Sequence, residues 1–196
     1  MKAVICAAGK GERLGLGIPK ALVKVGGRPI IDWQLDALDG YEVTVVAGYK
    51  AGDVIRQVGG RARVIVSEDY ASTSTCHSIG LVKDDSVCLI LDGDILFPRR
   101  EFPLRPFIGV CRPRSEDPVY AVVDNGFVRG FSRSSWEWEW ACIFAWRPSF
   151  FAGRKTGYVY EALQPELPVQ AEVVSCFEVD TPGDLRGAEE WVAKRM

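Results

Sequence analysis

Gly9, Gly11, Arg13 and Lys20 stand close together near the start of the chain, within Ala7-Ala8-Gly9-Lys10-Gly11-Glu12-Arg13 and the closing Pro19-Lys20. Glycines two residues apart can take positive φ and leave backbone N–H groups bare, while Arg13 and Lys20 add fixed positive charge. The pattern predicts a loop that holds a polyphosphate. Asp92-Gly93-Asp94 sets two carboxylates one residue apart. Beside a triphosphate, that pair predicts a site for Mg2+, a hard ion that prefers oxygen ligands and bridges phosphate oxygens. Taken alone, Asp-Gly is only a turn signal. Trp136-Glu137-Trp138-Glu139-Trp140 alternates rings with carboxylates. A period of two puts the tryptophans on one face of a strand and the glutamates on the other.

Neither of two common phosphate loops fits the glycines. A dinucleotide fingerprint needs a third glycine three residues after the second, where Leu14 stands. A Walker loop needs Gly-Lys-Ser/Thr, and here Gly9-Lys10 is followed by Gly11. The formal charge of −2 gives no electrostatic case for nucleic acid. No apolar run approaches the ~20 residues of a membrane span, and the N-terminus reads as a core strand rather than a signal peptide. Six scattered cysteines without Cys-x-x-Cys, and a single histidine, predict buried thiols rather than disulfides or a zinc site. The cytoplasm is the expected compartment.

These groups need elements to position them. Lys2 to Cys6 reads as a strand, Pro29 to Leu38 as a helix with Ile30, Ile31, Gln34, Leu35 and Leu38 along one side, and Glu42 to Ala47 as a strand. A short helix through Val54, Ile55 and Val58 follows, then strands at Arg63 to Val66 and Val87 to Leu91, with a polar stretch from Ser67 to Ser78 between them. Continuous apolar strands separated by helix-length segments predict a parallel sheet covered on both faces. In such sheets ligands bind beyond the carboxyl ends of strands, so the glycine loop and Asp92-Gly93-Asp94 are expected to share one cleft. The second half adds Phe107 to Cys111, a hairpin of Val119 to Val123 and Phe127 to Phe131, and a strand running from the tryptophans to Phe144. It closes with a helix at Tyr158 to Leu163, a strand at Glu172 to Ser175, and a terminal helix capped by Thr181, Pro182 and Asp184. The expected fold is a single α/β domain over residues 1–196, Rossmann-like, with a mixed, mostly parallel sheet and helices on both faces.

In order and spacing the motifs resemble those of the sugar-phosphate nucleotidyltransferase family, and within it the phosphocholine cytidylyltransferase branch. They comprise the glycine loop with Pro19-Lys20-Ala21-Leu22, Gly48-Tyr49-Lys50, Tyr70-Ala71-Ser72-Thr73 followed by Ser78, Asp92-Gly93-Asp94, and Val179-Asp180-Thr181-Pro182 with Asp184-Leu185. The Arg13 to Lys20 spacing is also similar to that of methylerythritol-phosphate and ribitol-phosphate cytidylyltransferases, but their Pro-Lys-Gln and Asp-Ala-Ala-Arg motifs are absent. The resemblance implies the nucleotide-diphospho-sugar transferase fold. It implies that Ala7, Ala8, Gly9, Gly11, Thr75, Ser78 and Asp92 bind nucleotide, with Ala7, Thr75 and Ser78 near base and ribose. Arg13 and Lys20 would be catalytic, holding the triphosphate and stabilising the leaving pyrophosphate. Asp94 and Asp180 would coordinate Mg2+. The implied reaction condenses CTP with a phosphorylated small molecule by in-line attack on the α-phosphorus.

In the family the tryptophan-bearing strand borders the acceptor pocket. Aromatic faces and carboxylates attract ammonium groups. Glu137, Trp138, Glu139 and Trp140 are therefore candidate contacts for phosphocholine, phosphoethanolamine or an aminoalkylphosphonate. The competing reading puts the tryptophans in the core or in a homodimer interface. Two other functions share the nucleotide motifs: sugar-1-phosphate nucleotidyl transfer, and non-catalytic nucleotide binding for regulation.

Overall fold

The computed structural model describes residues 1–195. The first half alternates strand and helix: β1 (Lys2–Ala7), the short hairpin β2 (Lys24–Val25) and β3 (Arg28–Pro29), α1 (Ile30–Ala37), β4 (Glu42–Ala47), α2 (Ala51–Val58), β5 (Arg63–Val66), α3 (Thr75–Gly80), β6 (Cys88–Asp92) and β7 (Ile95–Leu96). The second half holds β8 (Phe107–Cys111), β9 (Tyr120–Asp124), β10 (Phe127–Ser132), β11 (Trp138–Trp146), α4 (Val159–Leu163), β12 (Val169–Val173), β13 (Phe177–Glu178) and α5 (Pro182–Arg195).

Nine strands form one sheet in the order β5-β4-β1-β6-β11-β8-β12-β10-β9. The β5-β4-β1-β6 half is parallel; β11 then runs antiparallel to both β6 and β8, and β12 returns parallel to β8. Side-chain alternation along β1 explains why both faces are covered. Ala3, Ile5 and Ala7 pack into a layer with Ile31, Leu35, Val54 and Val58 from α1 and α2. Val4 packs into the opposite layer with Cys76, Ile79, Val159 and Leu163 from α3 and α4. Full burial of side chains such as Ile5, Ile31 and Leu91 stabilises by about 1.5–3 kcal/mol each. The terminal helix α5 covers the β2–β3 hairpin through Trp191 and Val192, beside Val25 and Ile30. Among the described residues no helix is long and apolar enough to cross a membrane. The six cysteines are unpaired.

Several element boundaries differ from the sequence expectations. Pro29 belongs to the β2–β3 hairpin, and α1 begins at Ile30. The polar stretch contains helix α3, and the strand expected at Glu172 to Ser175 lies at Val169–Val173. Trp136 and Glu137 precede β11 rather than forming part of it. Only Trp138 and Trp140 share the strand face expected of all three tryptophans. β11 slips against β8 between Trp140 and Phe144, and Cys142 takes the left-handed φ of 53° there. A β-bulge of this kind re-aims the strand, so simple alternation cannot run through it. Opposite the bulge, a Cβ on Gly109 would collide with the Ile143 carbonyl, which explains glycine at that position.

Candidate active site

The site is assembled where β1 and β6 end side by side. Cys6 lies opposite Asp92 in the parallel register, and the Gly93 N–H donates to the Cys6 carbonyl at 2.9 Å. A side chain on Gly93 would press on Ala7, so the Asp-Gly-Asp turn can approach β1 only with glycine at its centre. Gln34, fully buried on α1, ties the turn from below by donating from Nε2 to the carbonyls of Asp92 and Ile95, both at 2.8 Å. Helical periodicity marked Gln34 only as part of an inward face. Its polar end is a buried brace for the acidic turn.

Beyond β1, Gly11 takes the left-handed φ of 66°, whereas Gly9 does not, contrary to the expectation for both glycines. A Cβ at Gly11 would lie 2.8 Å from Lys20 Cγ. The glycine therefore lets the loop lie against the lysine stem. Ala7, Ala8, Gly9, Gly11, Arg13, Lys20, Thr75, Ser78, Asp92 and Asp94 all line one cleft of about 630 Å3. Tyr70 and Thr73, from the Tyr70-Ala71-Ser72-Thr73 motif, also line it, as do Ser74 and Tyr158, to which the sequence assigned no site role.

Asp180 arrives by a different route. β13 pairs antiparallel with β7, Glu178 lies opposite Ile95, and the Val179 N–H donates to the Asp94 carbonyl at 3.0 Å. The turn after Asp180 is fixed by a reciprocal cap: Asp184 accepts from the Thr181 N–H at 2.8 Å, and its own N–H donates to the Thr181 hydroxyl at 3.2 Å. Asp94, Glu178 and Asp180 consequently present carboxylate oxygens within 4.8 Å of one another. Glu178 was missed by the sequence reading. It sits two residues before Asp180 on a two-residue strand, and only the β13–β7 pairing brings both toward Asp94.

The electrostatics are those of carboxylates crowded away from water. Burial, then the neighbouring Asp94, pushes Asp92 up to about 7. Burial, then Asp94 and Asp180, pushes Glu178 up to about 9. Lys20 Nζ donates to Asp94 Oδ2 at 2.6 Å and to Asp180, and Arg13 also pairs with Asp180. Burial disfavours the Lys20 charge, but Asp94 and Asp180 together outweigh it and hold the ammonium above the ordinary lysine range. Asp94 is 7% exposed, and its Oδ1 has no hydrogen-bond partner. An all-oxygen donor set with a buried, unpartnered carboxylate oxygen fits a hard divalent cation such as Mg2+.

A second cleft of about 920 Å3 continues from the first, sharing Arg13, Asp92, Tyr158 and Glu178 with it. Asp180, Glu139 and Trp140 line this part, beside Tyr160, Glu116 and Asp117. Glu137 and Trp138 line neither cleft. Glu137 is exposed and pairs with Arg112 at 2.7 Å, and the Arg112 guanidinium lies 4.5 Å from the centre of the Trp138 ring. Trp140 packs into the core against Phe131, Phe144 and Tyr160.

The fold is shared with known cytidylyltransferases. The CTP:phosphocholine cytidylyltransferase of Streptococcus pneumoniae superposes with a TM-score of 0.84 at 24% identity, covering 97% of this chain and 98% of that one. The inositol-1-phosphate CTP transferase of T. maritima gives 0.77 at 18% identity, covering 98% and 95%. At these identities the likeness is one of fold. Among curated relatives, a CMP-5'-(3-aminopropyl)phosphonate synthase of Streptomyces rubellomurinus is 26% identical over 96% of this chain. The bifunctional protein GlmU of a Polaromonas species is 34% identical over 47% of it. The chain spans only 38% and 23% of the length of those two relatives. Residues 3–175 match the MobA-like NTP transferase domain, and the chain belongs to that family of nucleotidyltransferases.

Proposed function

We propose that this chain transfers a cytidylyl group from CTP to a small phosphate or phosphonate acceptor that carries a cationic group. The observation that carries the reading is the meeting of the two clefts at Asp94, Glu178 and Asp180. One cleft is floored by a glycine loop with Arg13 and Lys20; the other is walled by Trp140, Tyr160 and several carboxylates. The relatives agree in chemistry, since one is named for CTP and phosphocholine and another for a CMP-aminopropylphosphonate product.

In this reading backbone N–H groups around Gly9 and Gly11 cradle the triphosphate, and Arg13 and Lys20 stabilise charge on its β- and γ-phosphates. Asp94, Glu178 and Asp180 would hold Mg2+, which neutralises phosphate charge when bound. The acceptor oxygen attacks the α-phosphorus in line, a new P–O bond forms, and the α–β bridge breaks with its electron pair leaving on pyrophosphate. No side chain acts as nucleophile. Tyr160 and Trp140 offer aromatic faces, and Glu116 and Asp117 negative charge, to an ammonium group on the acceptor.

The test is pyrophosphate release from CTP and 2-aminoethylphosphonate or phosphocholine, with Mg2+. Asp94→Asn and Asp180→Asn should each lower the rate by at least about 100-fold while the protein stays folded. Unchanged rates in both variants would contradict the assignment of these carboxylates.

A further inference from the structure

Glu137, Trp138 and Glu139 all engage one segment of the chain, residues 112–118. The Arg112 guanidinium lies on the Trp138 ring and pairs with Glu137. The Glu139 carboxylate accepts from the Arg114 N–H at 2.7 Å, from the Ser115 N–H at 3.3 Å and from the Ser115 hydroxyl. At the far end Asp117 pairs with Arg133 at 3.1 Å. We propose that Glu139 is a positioning residue, which fixes segment 112–118 as a wall of the acceptor cleft, and that it does not contact the acceptor directly.

Glu139 is 5% exposed. A buried carboxylate is tolerated only when its oxygens are satisfied. Here the three donors come from the segment itself, and use most of the roughly four acceptor sites that a carboxylate offers. The segment in turn contributes Ser115, Glu116 and Asp117 to the cleft surface. Its own residues make no ladder with the sheet, so the anchors on Glu137, Trp138 and Glu139 take the place of strand pairing. The alternating Trp-Glu sequence thereby gains a cause: Trp138 faces one way to stack Arg112, and Glu139 faces the other way to hold Arg114 and Ser115.

The inference rests on the acceptor reading of this cleft, and the test separates the two. Glu139→Gln keeps an oxygen for the Arg114 N–H and an amide for the Ser115 hydroxyl, whereas Glu139→Ala removes both. Positioning predicts that Gln leaves the KM for 2-aminoethylphosphonate within about threefold of wild type, that Ala raises it by tens of fold, and that neither moves the KM for CTP. Amide hydrogen exchange across 112–118 should accelerate in Ala and stay slow in Gln. Equal losses of acceptor affinity in Gln and Ala would mean direct charge contact and would overturn the proposal, as would unchanged exchange in Ala. If wild type turns over no cationic acceptor, the acceptor reading fails, and the exchange comparison still decides the positioning role. Should Glu139→Ala not fold, Ser115→Ala, which deletes only the hydroxyl contact, should give a smaller acceleration at the same amides; no acceleration would overturn the proposal.

Discussion

Lys20 occupies the position between Asp94 and Asp180 that a metal ion would share. Its ammonium neutralises a crowded pair of carboxylates, and a triphosphate would offer it a second anionic partner. Removing the charge should leave the carboxylates free for a cation, because a buried charge without a partner is strongly unfavourable. Lys20→Met is expected to bind Mn2+ about tenfold more tightly than wild type in the absence of nucleotide, while losing turnover. Equal or weaker Mn2+ binding, measured by titration of the folded variant, would contradict this. The raised acids give a pH dependence with a definite sign. Asp92 and Glu178 have folded-state values of about 7 and about 9, above those of the unfolded chain. Stability therefore falls as pH rises from the ordinary carboxylate range through those values, and the full cost stands once they ionise in the folded state. A bound cation offsets that cost. The gain in Tm on adding Mg2+ should therefore be larger at pH ~9 than at pH ~6. Equal gains at the two pH values would count against these carboxylates as the metal site.

At the scale of elements, the site depends on braces that periodicity does not show. Gln34 on α1 serves two backbone carbonyls of the acidic turn. Gln34→Leu keeps the volume but leaves both carbonyls unpaired in the core, and should cost about 2–4 kcal/mol in urea unfolding. It should also weaken Mn2+ binding, because Asp92 and Asp94 flank the turn it holds; a loss of stability with unaltered metal binding would show that the turn holds its shape without the brace. What was legible in the sequence is what local chemistry dictates. β1 and the Thr181 cap each follow from a few neighbouring residues. The roles expected of the glycine loop, Asp94 and Asp180 lean instead on the resemblance of their motifs to the family, and only the fold brings Asp94 and Asp180 together. Glu178 was hidden because a two-residue strand carries no periodic signal, and its place depends on pairing with β7 far away in the chain. In the Trp136 to Trp140 stretch, alternation says which residues share a face, not what lies opposite: Trp138 meets Arg112, and Trp140 meets Phe131, Phe144 and Tyr160, as the competing core reading expects. Helix α3 starts only at Thr75, after Ser72, Thr73 and Ser74, whose turn and cap preferences the structure keeps, and burial of Cys76 and Ile79 seats it on the sheet.

For the molecule as a whole, the proposed function puts the nucleotide beside the parallel half of the sheet and the acceptor beside the mixed half, where β11 and β8 are antiparallel and β12 is parallel to β8, with Asp94, Glu178 and Asp180 between them. The expected fold class followed from the apolar runs of β1, β4 and β6, whose residues are buried on both faces. The size and walls of the second cleft did not, since they depend on the bulge at Cys142 and on segment 112–118 lying against β11. This division predicts that nucleotide and acceptor preferences vary separately under mutation. The most direct measurement is pyrophosphate release, with Mg2+, across four nucleoside triphosphates against phosphocholine, phosphoethanolamine, 2-aminoethylphosphonate, glycerol phosphate and a set of sugar 1-phosphates. The predicted result is turnover with CTP and a cationic acceptor, and little with the others. Turnover confined to a sugar 1-phosphate, or to a nucleotide other than CTP, would contradict the account.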